Sequence, residues 1–238
     1  MPETKWDGSS ALASALMPLE HLLSGFSHQI GNDVAFLLGT MEMAALGMGS
    51  GPTVDSLGEL HSNFFSFYQR LQQTSRSLRA PRPEHLEWCS LALCLARAEE
   101  MARCSLENAE RVPQPLLQTN VPMSMRLRGY DSLLTSALAG IVLNAWEADA
   151  EEVDVSARAV EDGIEVVVSD TGSGICEDGL PHVAEPFVTT KSSPHWGLGL
   201  TVALLAGVHH NGSLTVASEG PGKGARVALV LRSPLQAQ

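Results

Sequence analysis

Two glycine-bearing stretches constrain this chain more than any other feature: Asp170-Thr171-Gly172-Ser173-Gly174-Ile175 and Gly197-Leu198-Gly199-Leu200. The first follows Glu165-Val166-Val167-Val168, a β-branched run with the composition of a strand. An acid at a strand end can accept a hydrogen bond from an exocyclic amine. Glycines one residue apart let backbone approach a ligand with no Cβ in the way. The second stretch opens an apolar run from Leu200 to Val208, and the first N–H groups of a helix there would face an anion. Each glycine pair alone marks no more than a turn. In this order, they describe a site for a base followed by a site for phosphates.

The chain has 238 residues, 44% hydrophobic and 18% charged, which allows one large or two small globular domains. Its formal charge of −12 disfavours nucleic acid and anionic membrane surfaces as partners, since both reward Lys and Arg. Residues 1–10 are polar and read as a frayed leader without a signal pattern. The longest apolar run, Leu133 to Trp146, is interrupted by Thr135, Ser136 and Asn144 and is too short to insert in a membrane. Cys89, Cys94, Cys104 and Cys176 have no CxxC spacing, which suits reduced thiols in a cytoplasmic protein.

From Leu12 to Ala44, apolar residues recur by threes and fours, a long amphipathic helix that stops at Gly47-Met48-Gly49-Ser50-Gly51-Pro52. A second seam runs through Leu57, Leu60, Phe64, Phe67, Leu71 and Leu78. Two such helices make an antiparallel hairpin whose stripe one copy cannot cover, so a four-helix bundle formed by a homodimer is expected. His28 lies off the seam, with Asn32 one turn on. Such residues are often no more than solvated surface, yet a neutral exposed imidazole is also a good nucleophile.

Ala80 to Glu84 is a Pro-rich hinge, giving domains at 1–83 and 84–238. Beyond it, residues 86–110 read as a helix, Leu116–Val121 as a strand and Tyr130–Ala148 as a helix. A hairpin turns at Asp162-Gly163, and strands follow at Ser213–Ala217 and Ala225–Leu231. The fold class expected is α+β: a helical hairpin, then a mixed sheet with helices on one face.

These pieces resemble the core of the sensor histidine kinases, whose ATP-binding domain has the Bergerat fold, an α/β sandwich shared with Hsp90-type chaperones and gyrase-type topoisomerases. Leu143-Asn144-Ala145-Trp146-Glu147-Ala148 resembles the Asn box, Asp170 to Ile175 the first glycine box, and Glu185-Pro186-Phe187-Val188-Thr189-Thr190-Lys191 the Phe box. Gly197 to Leu200 resembles the second glycine box and Gly222-Lys223-Gly224 the closing turn. Ser27-His28-Gln29-Ile30-Gly31-Asn32-Asp33 resembles the His box. The resemblance spans residues 12–232.

It implies an ATP-dependent autokinase. Asn144 would hold Mg²⁺ through its amide oxygen. Asp170 would fix the adenine amine, with Gly172 and Gly174 shaping the base pocket. Thr190 and Lys191 would begin the lid, where a cation meets phosphate charge. Gly197, Leu198 and Gly199 would bring the phosphates to N–H groups. His28 would take the γ-phosphoryl group and pass it to an aspartate on a response-regulator receiver domain. Asn32, one turn on, matches the place where some relatives orient a water onto phosphoaspartate.

Several positions depart from the family pattern. Gln29 stands where an acid usually serves as base beside the His, and Asp33 where a Pro is common. Gly140 replaces a second Asn one turn before Asn144, and Glu147 replaces a basic residue. His195-Trp196 replaces Gly-Thr, and Ala225 stands in place of a common Thr. These bear on the rate of autophosphorylation more than on the fold. They keep open a phosphotransfer adaptor with a degenerate ATP site. A serine kinase acting on a partner is a more remote reading, since it has no need of the hairpin.

Overall fold

The computed structural model describes residues 1–7, 83–107, 116–186, 188–189 and 197–233. They belong to one of two compact units of the chain, that made of Met1–Leu16 and Ser77–Gln238. The expected helical hairpin and its dimer seam lie outside the described residues.

The unit is built on a mixed six-stranded sheet. Its strands are β1 (Glu3–Asp7), β3 (Leu116–Asn120), β5 (Glu152–Val160), β6 (Gly163–Asp170), β7 (Ser213–Ala217) and β8 (Arg226–Arg232), in the spatial order β1-β7-β8-β6-β5-β3. Only β3 and β5 run parallel; every other pairing is antiparallel. A separate pair joins β2 (Glu87–Ser90) to β4 (Arg126–Gly129). Among the described residues, three α-helices accompany the sheet: α1 (Leu91–Glu107), α2 (Asp131–Trp146) and α3 (Gly199–His209).

Period-two patterning fixes which side of the sheet is covered. In β5, Val153 and Val155 are buried while Glu152, Asp154 and Ser156 face solvent. Ile164, Val166 and Val168 of β6 and Leu229 and Leu231 of β8 extend the same core. Helix α2 is apolar almost all round because it is sandwiched. It packs on α1 and α3 and touches β5 and β6, burying Leu134, Leu138, Ile141 and Val142.

Three expectations need correction. Residues 3–7 are not a frayed leader: they form β1, in register with β7 from Glu3↔Ala217 to Asp7↔Ser213. Trp6, 9% exposed, is the one buried residue of that strand, so no alternation betrays it in the sequence. Residues 86–110 are not one helix. Glu87–Ser90 pair with β4, which places Cys89 opposite Leu127 inside the core, and α1 starts only at Leu91. The hairpin turn also sits one residue earlier. Glu161 and Asp162 form it, Asp162 adopts φ 59°, and Gly163 already pairs with Val160 and with Arg232 of β8.

Among the described residues Cys89 and Cys94 are buried, Cys104 and Cys176 are exposed, and all four are free thiols. Burial pushes the Cys89 thiol up to about 12 and that of Cys94 to about 11, so both are inert at neutral pH.

Candidate functional site

Asp170 ends β6 at the centre of the sheet, where the ladder to β8 fixes it. Its N–H donates to the Ala225 carbonyl at 2.9 Å, and the Ala225 N–H donates to Asp170 Oδ1 at 3.2 Å. The Gly172 N–H donates to the same oxygen at 2.9 Å. Two backbone donors on one carboxylate oxygen set the orientation of the whole group. The family's Thr at position 225 is absent, but the backbone N–H of Ala225 still holds the acid.

The first glycine box is stitched to the closing turn. Gly222 N–H donates to the Ser173 carbonyl at 2.6 Å and Gly224 N–H to the Gly172 carbonyl at 3.0 Å. Gly174 and Gly224 have φ +67° and +66°. A Cβ on the first would collide with the Gly220 carbonyl and on the second with the Asp170 carbonyl. Glycine is the one residue that satisfies both conditions. On its other side the box meets the chain just past α2. Ser173 N–H donates to the Ala148 carbonyl at 2.7 Å, and a Cβ on Gly172 would collide with Ala148.

Asn144 projects from the last turn of α2 and is half-buried. It meets the second glycine box: a Cβ on Gly199 would lie 3.0 Å from Asn144 Nδ2 and 3.0 Å from the Gly140 carbonyl. Gly140, the position of the missing Asn, is where α3 comes closest, since a Cβ there would stand 2.8 Å from Gly199 Cα. Gly197 takes φ +60° ahead of α3, and Leu198 is the N-cap residue, largely buried, with no side-chain oxygen to offer the first N–H groups. Thr201 Oγ1 donates to the Ala184 carbonyl at 3.1 Å, which anchors the first turn of α3 to the chain after the 3-10 turn Leu180–His182.

Asn144, Gly140 and Gly199 thus meet in one place, and Asp170, Gly172, Gly224 and Ala225 in another. Ala148 links the two. Leu198 sits between Gly197 and Gly199 with its side chain in the core. Thr190, Lys191, His28, Gln29 and Asn32 lie outside the described residues.

Ser218 was not singled out by sequence. It is 1% exposed. Its hydroxyl donates to the Gly224 carbonyl at 2.6 Å and accepts from the Ile175 N–H at 3.0 Å. A lone serine after a strand carries no local signal for this. His210, which sequence places only in a turn, is 0% exposed. Its Nδ1 donates to the Ala206 carbonyl at 2.7 Å, which leaves Nε2 to accept from the Tyr130 N–H at 3.0 Å. It joins the end of α3 to the start of α2, the helix bearing Asn144.

An acid oriented at a strand end, glycines at 172, 174 and 224 that leave no room for a Cβ, and a helix start with no side-chain cap from Leu198 fit a purine nucleotide. The amide oxygen of Asn144 is a hard ligand of the kind Mg²⁺ takes beside phosphates. Among the described residues no group of three or more His, Cys, Asp or Glu could hold a metal ion by itself.

The family described as histidine kinase-, DNA gyrase B-, and HSP90-like ATPase matches residues 129–235.

Residues 129–235 are a domain of this ATPase family.

The ATPase domain carries every piece of the site just described. The sensor histidine kinase ZraS of Escherichia coli (strain K12) is 28% identical over 218 residues, 91% of this chain and 46% of that protein. The tetrathionate sensor histidine kinase TtrS of Salmonella typhimurium is 27% identical over 201 residues, 81% of this chain and 33% of that protein. The chain therefore spans less than half the length of these relatives. Solved structures agree on the fold. The Acinetobacter baumannii histidine kinase AdeS aligns with TM-score 0.65 at 17% identity, over 87% of this chain and 98% of that one. The mycobacterial sensor histidine kinase MprB aligns with TM-score 0.51 at 23% identity, over 63% of this chain and 99% of that one. The resemblance to the histidine kinases thus holds at the level of the domain, which is an ATP-binding one by family.

Proposed function

We propose that this chain is an ATP-dependent protein histidine kinase of a two-component system. The observation that carries the reading is the carboxylate of Asp170, locked by the N–H groups of Gly172 and Ala225 beside Gly172, Gly174 and Gly224, none of which has room for a Cβ. That arrangement suits recognition of the adenine amine. Gly197, Leu198 and Gly199, at the start of α3, would turn N–H groups to the phosphates, and Thr190 and Lys191 would add donors from the lid. Asn144 would hold Mg²⁺, which when bound neutralises phosphate charge.

His28 would receive the γ-phosphoryl group. The bond from the γ-phosphorus to the β,γ-bridging oxygen breaks, one from phosphorus to an imidazole nitrogen forms, and ADP leaves. Gln29 cannot take the imidazole proton as an acid would, so a slow chemical step is expected. The phosphoryl group would pass to a receiver aspartate, and Asn32 would serve the reverse, hydrolytic activity. A homodimer through residues 12–78, a domain boundary near Ala80–Glu84 and a cytoplasmic location complete the proposal. No helix among the described residues is long and apolar enough to cross a membrane.

One observation favours the adaptor reading instead. With Gly140 against Gly199, the space of the family's second Asn is filled by backbone. Calorimetry with Mg-ATP tests the choice. Micromolar to sub-millimolar binding supports the kinase, and no heat at millimolar nucleotide leaves the adaptor.

A further inference from the structure

The nucleotide chemistry above makes no use of the N-terminal strand, yet that strand is wired into it. Strand β1 lies at one edge of the sheet, against β7. The ladder continues one step past Ala217: the Ser218 N–H donates to the Pro2 carbonyl at 3.2 Å. So the backbone of Ser218 holds the strand while its side chain holds the site, through the Gly224 carbonyl and the Ile175 N–H. The Gly220 N–H also donates to the Ser218 hydroxyl, at 3.3 Å. A buried hydroxyl with both roles committed cannot shift without stranding a polar group. Strand β1 also touches α3 and the 3-10 turn Leu180–His182, which follow the second and first glycine boxes.

Five residues with one buried side chain, Trp6, form a thinly held edge strand, of the kind that opens at a cost well below global unfolding. In sequence, Asp7 is followed by residues 8–82, which carry His28.

We propose that residues 3–7 are a positioning strand for the nucleotide site and that Ser218 is the residue through which they act. Pairing of β1 fixes Ser218, Ser218 fixes the first glycine box against the closing turn, and Asp170 is oriented between them. Release of the strand loosens that geometry and weakens nucleotide binding. By linkage, bound nucleotide tightens the strand by the same factor. This inference rests on the nucleotide-site reading above.

The test uses the full chain with Mg-AMP-PNP. Hydrogen exchange of residues 3–7 is measured with and without saturating nucleotide, and Kd is measured for the unmodified chain, Trp6→Ser, Ser218→Ala and the double variant. The expected result is exchange slowed about five-fold or more by nucleotide, and a Kd raised by a similar factor in Trp6→Ser. In the Ser218→Ala background the same Trp6 change should raise Kd much less, because its route is gone. A purely structural role for Ser218 would lower stability and leave the two effects on Kd additive. Exchange that ignores nucleotide, or additive effects on Kd, overturns the proposal while leaving the nucleotide site intact. Should Trp6→Ser fail to fold, the exchange comparison on the unmodified chain decides alone. No binding by the unmodified chain at millimolar nucleotide would overturn the nucleotide site itself, and this inference with it.

Discussion

Gly140 and Gly199 meet backbone to backbone where α2 and α3 cross, and Gly140 has no room for a side chain: a Cβ on it would lie 2.8 Å from Gly199 Cα and 2.9 Å from the Gly199 carbonyl oxygen. Both obstacles are backbone and cannot rotate away. Gly140→Ala must therefore part the helices, and Gly140→Asn must part them further. Overpacking of this kind costs about 1–3 kcal/mol, which lowers Tm by several degrees. Because Asn144 and the start of α3 move apart together, nucleotide affinity should fall about ten-fold or more. Restoring the family's usual Asn should therefore lose function. Calorimetry and thermal melts of the two variants check this, and tighter binding by Gly140→Asn would refute it.

Asp170→Asn isolates recognition from folding. The amide keeps an acceptor oxygen for the Gly172 and Ala225 N–H groups, so the turn should stand. It replaces a carboxylate with a group that presents a donor to the adenine amine. A lost hydrogen bond to a charged group is worth about 1.5–3 kcal/mol, so affinity should drop roughly ten- to a hundred-fold. Circular dichroism should be unchanged. Equal nucleotide affinity in the two proteins would remove Asp170 from adenine recognition.

Much of this site is legible because its signals are local. A β-branched run, an acid and two spaced glycines sit within eleven residues from Glu165 to Ile175, and the strand and turn they announce are those found. What is not legible depends on distant partners. Trp6 has meaning only opposite Leu214, at the other end of the chain. Cys89 joins a strand only because Leu127 faces it. Ser218 and His210 act through backbone groups of Ile175, Gly224, Tyr130 and Ala206, which no side-chain pattern records. Gly140 reads in sequence as a missing Asn, and its steric reason appears only once α3 is seen against it.

His210 should make the ATPase domain acid-sensitive. Burial first, with neighbouring His209, pulls its pKa down to about 4, and the bond to the Ala206 carbonyl only partly offsets this. In the unfolded chain it titrates near its ordinary 6.5. Between those values the unfolded state binds more protons, so stability is full above about pH 6.5 and falls as pH drops towards about 4. Protonation would also turn Nε2 from acceptor to donor, facing the Tyr130 N–H. The loss is on the order of 3 kcal/mol across the window. Urea melts at pH 7 and pH 4.5 measure it, and His210→Gln should flatten the difference. An equal drop in that variant would assign the acid sensitivity to other groups.

Gly224→Ala should break the closing turn. Its φ of +66° strains any L side chain, and the new Cβ would strike the Asp170 carbonyl. Destabilisation of about 1–3 kcal/mol is expected, with nucleotide binding weakened more than in an exposed control such as Gly222→Ala, where a Cβ meets nothing within 4 Å. Isothermal titration of both variants separates strain at the site from strain in the turn, and equal losses would mean that contact with Asp170 is immaterial.

The most direct measurement is incubation of the full chain with γ-³²P-labelled Mg-ATP, followed by mass-spectrometric location of the label. A histidine kinase predicts acid-labile, base-stable phosphate on His28, lost in His28→Gln while that variant still binds nucleotide. Label that survives His28→Gln, or that resides on serine, would contradict it.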